Sequence, residues 1–528
     1  MKTLPSPQLP SHGSAGTPRA ILSGSGRSMA ARPRWGIRGG LGLGLGLGLL
    51  PLACSAADQP QWGQAWSRNP VSAELGLPEG FDPVTKKNVK WVVELGSQTH
   101  STPVAAGGRI FIGTNNANPR DPRHQGDRGV FMCLDEKDGA LLWQLVVPKL
   151  EDDDYLDWPN TGIASEGTVE GDRVYTVTNR GEVVCLDVHG MANGNDGPYQ
   201  DEGKHLALRG KPAMPPGPLD ADIIWILDMK ETCGIWCHDG AHSSILIHGG
   251  HLYVNTATGV DNTHRVIRRP LAPSLIVVDK RTGRYLAREE EKISPNIFHS
   301  GWSSPALGEI GGKPTILFCG GNGITYAFDP LPAAPAMDAV QPLTKRWEYD
   351  MDPTAPKTHV HRFTQNKQEG PSNIYGMPVL HQDRLYIAGG GDVFWGKNQS
   401  WLKCIDPRDG KELWSYPLGK HTLTTAAVHD GLVYATDADG TVHCVDALTG
   451  TPEWTHSMDG PFWASPMVAD GKIYLGTRQG NFSILKAGRK LKVLSHLDLK
   501  SPISATVTMA NGTAYLATMK QLWALKAG

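Results

Sequence analysis

Cys233, Cys237 and His238 stand together in TCGIWCHDGAH, and their residue types suit several chemistries. In an oxidising compartment the two thiols can close a local disulfide, or each can serve as a buried structural residue. The same three residues resemble a haem-attachment run, although that chemistry takes one intervening residue fewer than the three found here. With His242 added, the set offers two sulfurs and two imidazoles to a zinc ion, at a looser spacing than zinc motifs use. A second group of donors lies in HGMANGNDGPYQDEG, which opens the long insertion over residues 188–222. Asn193, Asn195, Asp196 and Asp201 are hard oxygen donors, but their order is not that of a calcium loop, so turns stabilised by Asn, Asp and Gly are expected. In GVDNTHRVIRRPLAPSLIVVDK, residues 259–280, Asp261, Asn262, His264 and three arginines decorate either a binding rim or a solvated hairpin tip. EDDD at residues 151–154 reads as a solvated acidic run. The chain offers no nucleophile elbow and no phosphate-cradling glycine loop.

These residues must be held by elements, and the elements repeat. CVDALTGTPEW, from Cys444 to Trp454, has counterparts in CLDEKDGALLW (Cys133 to Trp143) and CIDPRDGKELW (Cys404 to Trp414). Each places a Gly four residues and a Trp eight residues beyond an Asp: Asp135, Gly139 and Trp143; Asp406, Gly410 and Trp414; Asp446, Gly450 and Trp454. The copy from Val277 has Ala287 in the Trp position, and the copy from Ala327 has its Trp displaced to Trp347. Cys133, Cys185, Cys404 and Cys444 occupy the small-residue position two before the Asp, where Ala327 and Ala524 stand in other copies. They therefore read as small hydrophobic fillers, as does Cys319.

Around this motif a three-strand pattern recurs eight times, beginning at Ser101, Gly162, Ser243, Ser303, Gly376, Thr424, Ala464 and Ser504. Its strands are about five residues long, alternate with period two, and are joined by turns such as HDG, ADG and ANG. The motif Trp opens a fourth, outermost strand. Sheets this small cannot bury their faces alone, and radial stacking covers both faces while leaving short edges. The expected fold is all-β, an eight-bladed propeller of four-stranded antiparallel blades over residues 91–528. The last copy runs out of chain, and WVVEL (Trp91 to Leu95) is the unowned strand that would complete it and close the ring. Residues 58–90 read as an extended lead-in. The motif itself is expected to dock blades: the Trp packs on the neighbouring blade and donates its indole N–H.

WGQAWSRNP, the eight copies and the Asp-Gly-Trp motif together resemble the pyrroloquinoline-quinone-binding-like β-propeller repeat family, across essentially the whole chain after residue 57. The resemblance implies the propeller fold. It leaves function open, because that family includes quinoprotein alcohol dehydrogenases and a non-catalytic propeller lipoprotein of outer-membrane protein assembly. The dehydrogenases imply a quinone sandwiched in the central channel, a calcium ion held by carboxylate and amide oxygens, and an Asp base. Here the channel-facing candidates are Glu166, Asn373 and Trp463 on first strands, with Trp302 in HSGWSSP just before one. The adjacent cysteine pair that often caps the quinone has no counterpart. The favoured expectation is a non-catalytic binding or scaffold propeller without cofactor, catalytic residue or metal, meeting a protein or small-molecule partner at its channel mouth. A quinone- and calcium-dependent alcohol or sugar dehydrogenase and an assembly lipoprotein are the alternatives.

The N-terminus carries six basic residues and no acidic one before residue 58, followed by the apolar run GGLGLGLGLGLLPLA, which has the pattern of a signal peptide over residues 1–57. Met29 offers an alternative start, and Cys54 a rival reading as a lipid anchor. Export to the periplasm or cell envelope, or secretion, is expected. No other apolar run approaches the length needed to span a bilayer. Removing six of the 51 basic residues and none of the 53 acidic ones takes the net charge from −2 to −8. An exported chain of that charge is a poor partner for nucleic acid, whose binding needs clustered positive charge.

Overall fold

Eight small antiparallel sheets follow one another along the chain in a computed structural model that describes residues 57–150, 158–238, 243–261, 263–335, 339–363, 369–393 and 396–528. Residues up to 56, which hold Cys54 and most of the stretch read as a signal peptide, and the 151–154 acidic run lie outside the described residues, as do His242 and Asn262. Residues 54–528 form one compact unit. The sheets are the blades of an eight-bladed β-propeller. Blades 1 to 7 cover residues 104–148, 168–228, 246–288, 306–350, 379–418, 427–457 and 467–498. Blade 8 takes its three inner strands from residues 508–525 and its outermost strand from Val89–Glu94, which pairs antiparallel with Gln521–Leu525. The ring thus closes two residues earlier in the chain than WVVEL suggested.

Two blades exceed four strands. In blade 3 Gln341–Pro342 adds a parallel pair to Tyr285–Arg288, and in blade 5 Ser372–Asn373 pairs with the top of Arg384–Gly391. Both additions come from the long connections before blade 5, whose length leaves chain to spare. Elsewhere the tight turns have the chemistry their position needs: Asp430–Gly431 and Asp470–Gly471 both carry positive φ, as a two-residue hairpin turn of right-handed twist requires.

Each apolar core lies between blades. Phe111, Phe131 and Trp143 of blade 1 share one cluster with Val174 and Val184 of blade 2, and Tyr515 of blade 8 shares another with Ile110 of blade 1. The repeat motif makes this seam. Its Trp indole N–H donates to a backbone carbonyl of the next blade: Trp143 to Val188 at 2.9 Å, Trp414 to Ala447 at 3.1 Å, Trp454 to Gly488 at 2.9 Å. Its ring lies on the glycine of the next motif; a Cβ on Gly450 would stand 2.8 Å from the Trp414 ring, and one on Gly139 3.1 Å from Trp91. The motif Asp caps the turn that brings that glycine in, as Asp446 does by accepting from the Leu448 and Thr449 amides. The small position is the cross-strand partner of the Trp: Cys133 faces Trp143, Cys404 faces Trp414, Cys444 faces Trp454, and Ala327 faces Trp347. A larger side chain there would compete with the indole for the seam.

The lead-in runs across one end of the channel and bonds to blade after blade. Gln59 pairs with Ala105 of blade 1, the Val169 amide of blade 2 donates to Pro60, and Arg68 reaches Ser244 ahead of blade 3. Trp66 O, Ser67 O and Asn69 then meet Leu307, Leu380 and Val428 of blades 4, 5 and 6. Val71 and Ser72 pair with Val468 of blade 7, and Glu74 accepts from Gly512 of blade 8. Residues 57–74 are therefore a floor tied to all eight blades at or beside their innermost strands.

Candidate functional site

Above that floor lies an axial cavity of about 530 Å³, walled by the residues that precede the innermost strands of all eight blades. Thr102, Glu166, Ser243, Ser304, Met377, Thr425, Ser465 and Thr506 form its ring, and Trp62 of the lead-in contributes from below. Among the sequence-derived candidates Glu166, Trp302 and Trp463 line this cavity. Asn373 does not: it is buried behind the wall, where its amide donates to Ser300 O at 2.9 Å.

The wall has two unlike sides. On one, Arg478 lies 4.6 Å from the centroid of the Trp463 ring and donates to Ser504 Oγ at 2.7 Å, while His100 stacks obliquely on the same indole. Burial lowers the Arg478 pKa from the usual guanidinium range. On the other side three imidazoles meet. His238, His264 and His299 have ring centroids 4.6 to 5.1 Å apart, and one ligating nitrogen of each lies within 4.8 Å of the other two. Trp302 and Tyr375 pack beside them, with ring centroids 4.8 Å apart.

Three chain segments bring the imidazoles together. The stretch after the short helix Met229–Cys233 is bridged at Cys237 to Thr258, and Gly259 is bridged to Ser300. A Cβ on Gly259 would meet His299 O at 2.5 Å and the His238 Cβ at 3.0 Å, so the close approach requires glycine there. His264 sits on the loop beyond, with φ of 56°. The hydrogen bonds around the trio are ordered. His238 Nδ1 donates to Val260 O at 2.8 Å, His299 Nδ1 lies 3.1 Å from Tyr375 Oη, and Tyr375 donates to Asp392. Burial, followed by the neighbouring imidazoles, holds His299 well below the ordinary histidine range and His238 down to about 3, so both are neutral at physiological pH.

Glu166 is the one carboxylate on the lining among the described residues. Burial pushes it up to about 7 against hydrogen bonds from Thr102 and the charge of Arg68. A carboxyl raised in the folded state contributes stability that is complete below its ordinary value near 4.5 and is lost as pH rises through about 7. Glu166→Gln should therefore flatten the stability profile between pH 5 and 8. The variant should gain on the parent by about 2 kcal/mol at pH 8, less than the full equivalent of the shift because the carboxyl also meets the cavity. Guanidinium midpoints of both proteins at pH 5 and pH 8 check this, and parallel profiles would refute it.

The other candidates are placed elsewhere. No disulfide joins Cys233 and Cys237, and both are buried. Cys233 ends its helix, the chain turns through left-handed Gly234, and Cys237 packs against Gly181 with Cys233 in the core between blades 2 and 3. This core position separates the two thiols from the imidazole cluster that His238 joins; His242, the fourth member of the zinc reading, lies outside the described residues. Asp261 accepts from Thr263 and Arg268, and Arg268 lies over Trp236, which makes that part of the loop a structural tie. Asn193, Asn195 and Asp201 serve local ties of the 188–222 insertion, as in the Asn193 bond to Asp196 and the Lys204 bond to Asp201, while Asp196 stands with Asp187 and Asp222, their carboxylate oxygens within 4.8 Å of one another. The histidine trio has no sequence spacing to betray it. Its signals are His238, singled out with the two cysteines instead of with its true neighbours, and His264 in a loop that interrupts blade 3.

The model of the family described as outer membrane protein assembly factor BamB matches residues 81–190 and 398–491. The crystal structure of BamB from Moraxella catarrhalis is 13% identical, with a TM-score of 0.50 over 82% of this chain and 96% of that one. A europium-containing methanol dehydrogenase is 12% identical, with a TM-score of 0.57 over 88% and 89%. These likenesses show the fold. Among curated proteins, a 1-butanol dehydrogenase (cytochrome c) of Thauera butanivorans is 25% identical over 133 residues, 22% of this chain and 18% of that protein's length.

Proposed function

We propose that this chain, an eight-bladed propeller whose repeats resemble those of BamB, is an exported binding protein whose axial cavity receives a small, planar, anionic molecule without converting it. The observation that carries this reading is the cavity wall. Its volume is that of small-molecule sites, it is floored by the chain's own lead-in, and its lining sets an arginine against an indole. A flat anion pairs with Arg478 and packs against the Trp463 and His100 rings beside it. Export is the reading of the basic and apolar N-terminus, and among the described residues no helix is long and apolar enough to cross a membrane.

A quinone with calcium, as in the dehydrogenases of this fold, does not fit the lining. Calcium takes six to eight oxygen ligands, several of them carboxylate. Among the described residues Glu166 is the one carboxylate on the lining; it is drawn toward its neutral form, and Asn373 lies behind the wall instead of beside it.

The test uses 8-anilinonaphthalene-1-sulfonate as a planar anionic probe. The reading expects saturable one-to-one binding by fluorescence, weakened about tenfold in Trp463→Ala, which corresponds to about 1.4 kcal/mol. Binding that is unsaturable, or equal in the variant, refutes it. So would reduction of an artificial electron acceptor by alcohols or aldose sugars once quinone and calcium are added.

A further inference from the structure

We propose that His238, His264 and His299 bind one divalent transition-metal ion of the zinc, cobalt or copper class, with a coordination position open to the axial cavity. Three imidazoles and no carboxylate among the ligating atoms select such ions over calcium or magnesium, which take oxygen. The outer hydrogen bonds are those that metal-binding histidines use. Val260 O accepts from His238 Nδ1 and leaves Nε2 as the nitrogen with a lone pair. Tyr375 gives its proton to Asp392, so its oxygen accepts from His299 Nδ1, and Nε2 of His299 is again the ligating atom. The backbone bridges at Cys237–Thr258 and Gly259–Ser300 fix these two histidines before any ion arrives.

Metal–nitrogen bonds of about 2.0–2.1 Å place tetrahedral ligands about 3.4 Å apart. The three nitrogens lie within 4.8 Å, so closure asks for a shift of about 1 Å. His264 can supply it, because it is half-buried on a loop while the other two are buried. His264 and His299 line the cavity, so an ion between them presents its fourth position to whatever enters, beside Trp302. This open position, and not the ion site itself, rests on the reading of the cavity as a chamber for ligand. Three imidazoles with one vacant position also make the site a Lewis acid in form, able to take an anionic oxygen or nitrogen donor of the bound molecule.

The experiment is titration of the untagged full chain with Co²⁺, followed by visible absorption, then by displacement with Zn²⁺. The expected result is one equivalent of cobalt with the intense bands of a tetrahedral site. His264→Ala, which removes a loop side chain, should melt like the parent without metal and bind cobalt at least tenfold more weakly. Tyr375→Phe keeps all three ligands and should weaken binding about tenfold by releasing the His299 tautomer. No stoichiometric uptake by the parent chain, or one-equivalent uptake retained in His264→Ala, overturns the site. Probe fluorescence on the same metal-free samples separates the two readings. Saturable probe binding without cobalt uptake sinks the metal site alone, and cobalt uptake without probe binding sinks the cavity reading alone.

Discussion

Arg68→Ala is expected to destabilise the protein by about 3 kcal/mol or more and to shift its guanidinium midpoint downward at every pH. Arg68 is fully buried, and its guanidinium donates from Nε to Pro305 O at 2.8 Å, from Nη1 to Trp62 O at 3.2 Å and Ser244 Oγ at 2.9 Å, and from Nη2 to Ser244 O at 2.7 Å. The residue thus ties the lead-in to the approaches of blades 3 and 4 and forms the floor beneath the cavity. Alanine leaves several buried acceptors without a donor, each at about 1 kcal/mol or more, and removes the packing of the longest side chain in the floor. Burial lowers the Arg68 pKa to about 9, and the charge of Glu166 opposes that shift. The reverse influence also vanishes in the variant, so Glu166 should titrate higher still, and the stability it loses on ionising should go at a higher pH than in the parent. Arg68→Lys keeps the charge but one donor group instead of three, and should recover only part of the loss. Equal midpoints for Arg68→Ala and the parent would mean that the lead-in is an accessory to the ring and not its floor.

That role of the lead-in was not legible in the sequence, and the reason is physical. A strand announces itself by alternation because its neighbours lie on two faces. Residues 57–74 have eight neighbours in turn, each taking one or two hydrogen bonds, so WGQAWSRNP carries no period. The blades were legible for the opposite reason. One contact, an indole resting on the next blade's glycine and bonding to the carbonyl beside it, recurs with the same geometry and fixes the residue type at each position. Blade 2 obeys the same rule with Trp225, which bonds to Lys280 O and covers Gly283, but the 188–222 insertion moves that Trp far from its Asp and hides it. In the site, the position before each innermost strand pointed to Glu166, Trp302 and Trp463. His238, His264 and His299 come from three segments whose spacing along the chain reflects loop length, and they meet because of the bridges at Thr258 and Ser300.

Val93→Pro should be as damaging as the loss of Arg68, although it lies on the outermost strand of the ring. Val89–Glu94 is the N-terminal strand that completes the C-terminal blade, and Leu95 donates to Lys520 O at 2.7 Å. Strand N–H groups alternate in direction, so the Val93 amide faces the same partner strand and lies opposite Leu522. Proline removes that donor and puts a ring where the neighbouring backbone must approach, at about 3 kcal/mol. The loss extends beyond one hydrogen bond. Trp91 belongs to the same strand, donates to Glu136 O of blade 1 at 3.1 Å and covers Gly139 there, so loosening the strand opens the seam between the last blade and the first. A closed ring converts into an open stack with two unpaired ends, which pair with other molecules. Glu94→Pro is the control, because that amide faces away from Gln521–Leu525 on an exposed edge and proline is tolerated there. Val93→Pro should therefore lower the denaturation midpoint and elute partly as oligomer in size-exclusion chromatography, while Glu94→Pro stays close to the parent in both. Similar behaviour of the two variants would show that closure depends on side-chain packing at Trp91 and not on the strand ladder.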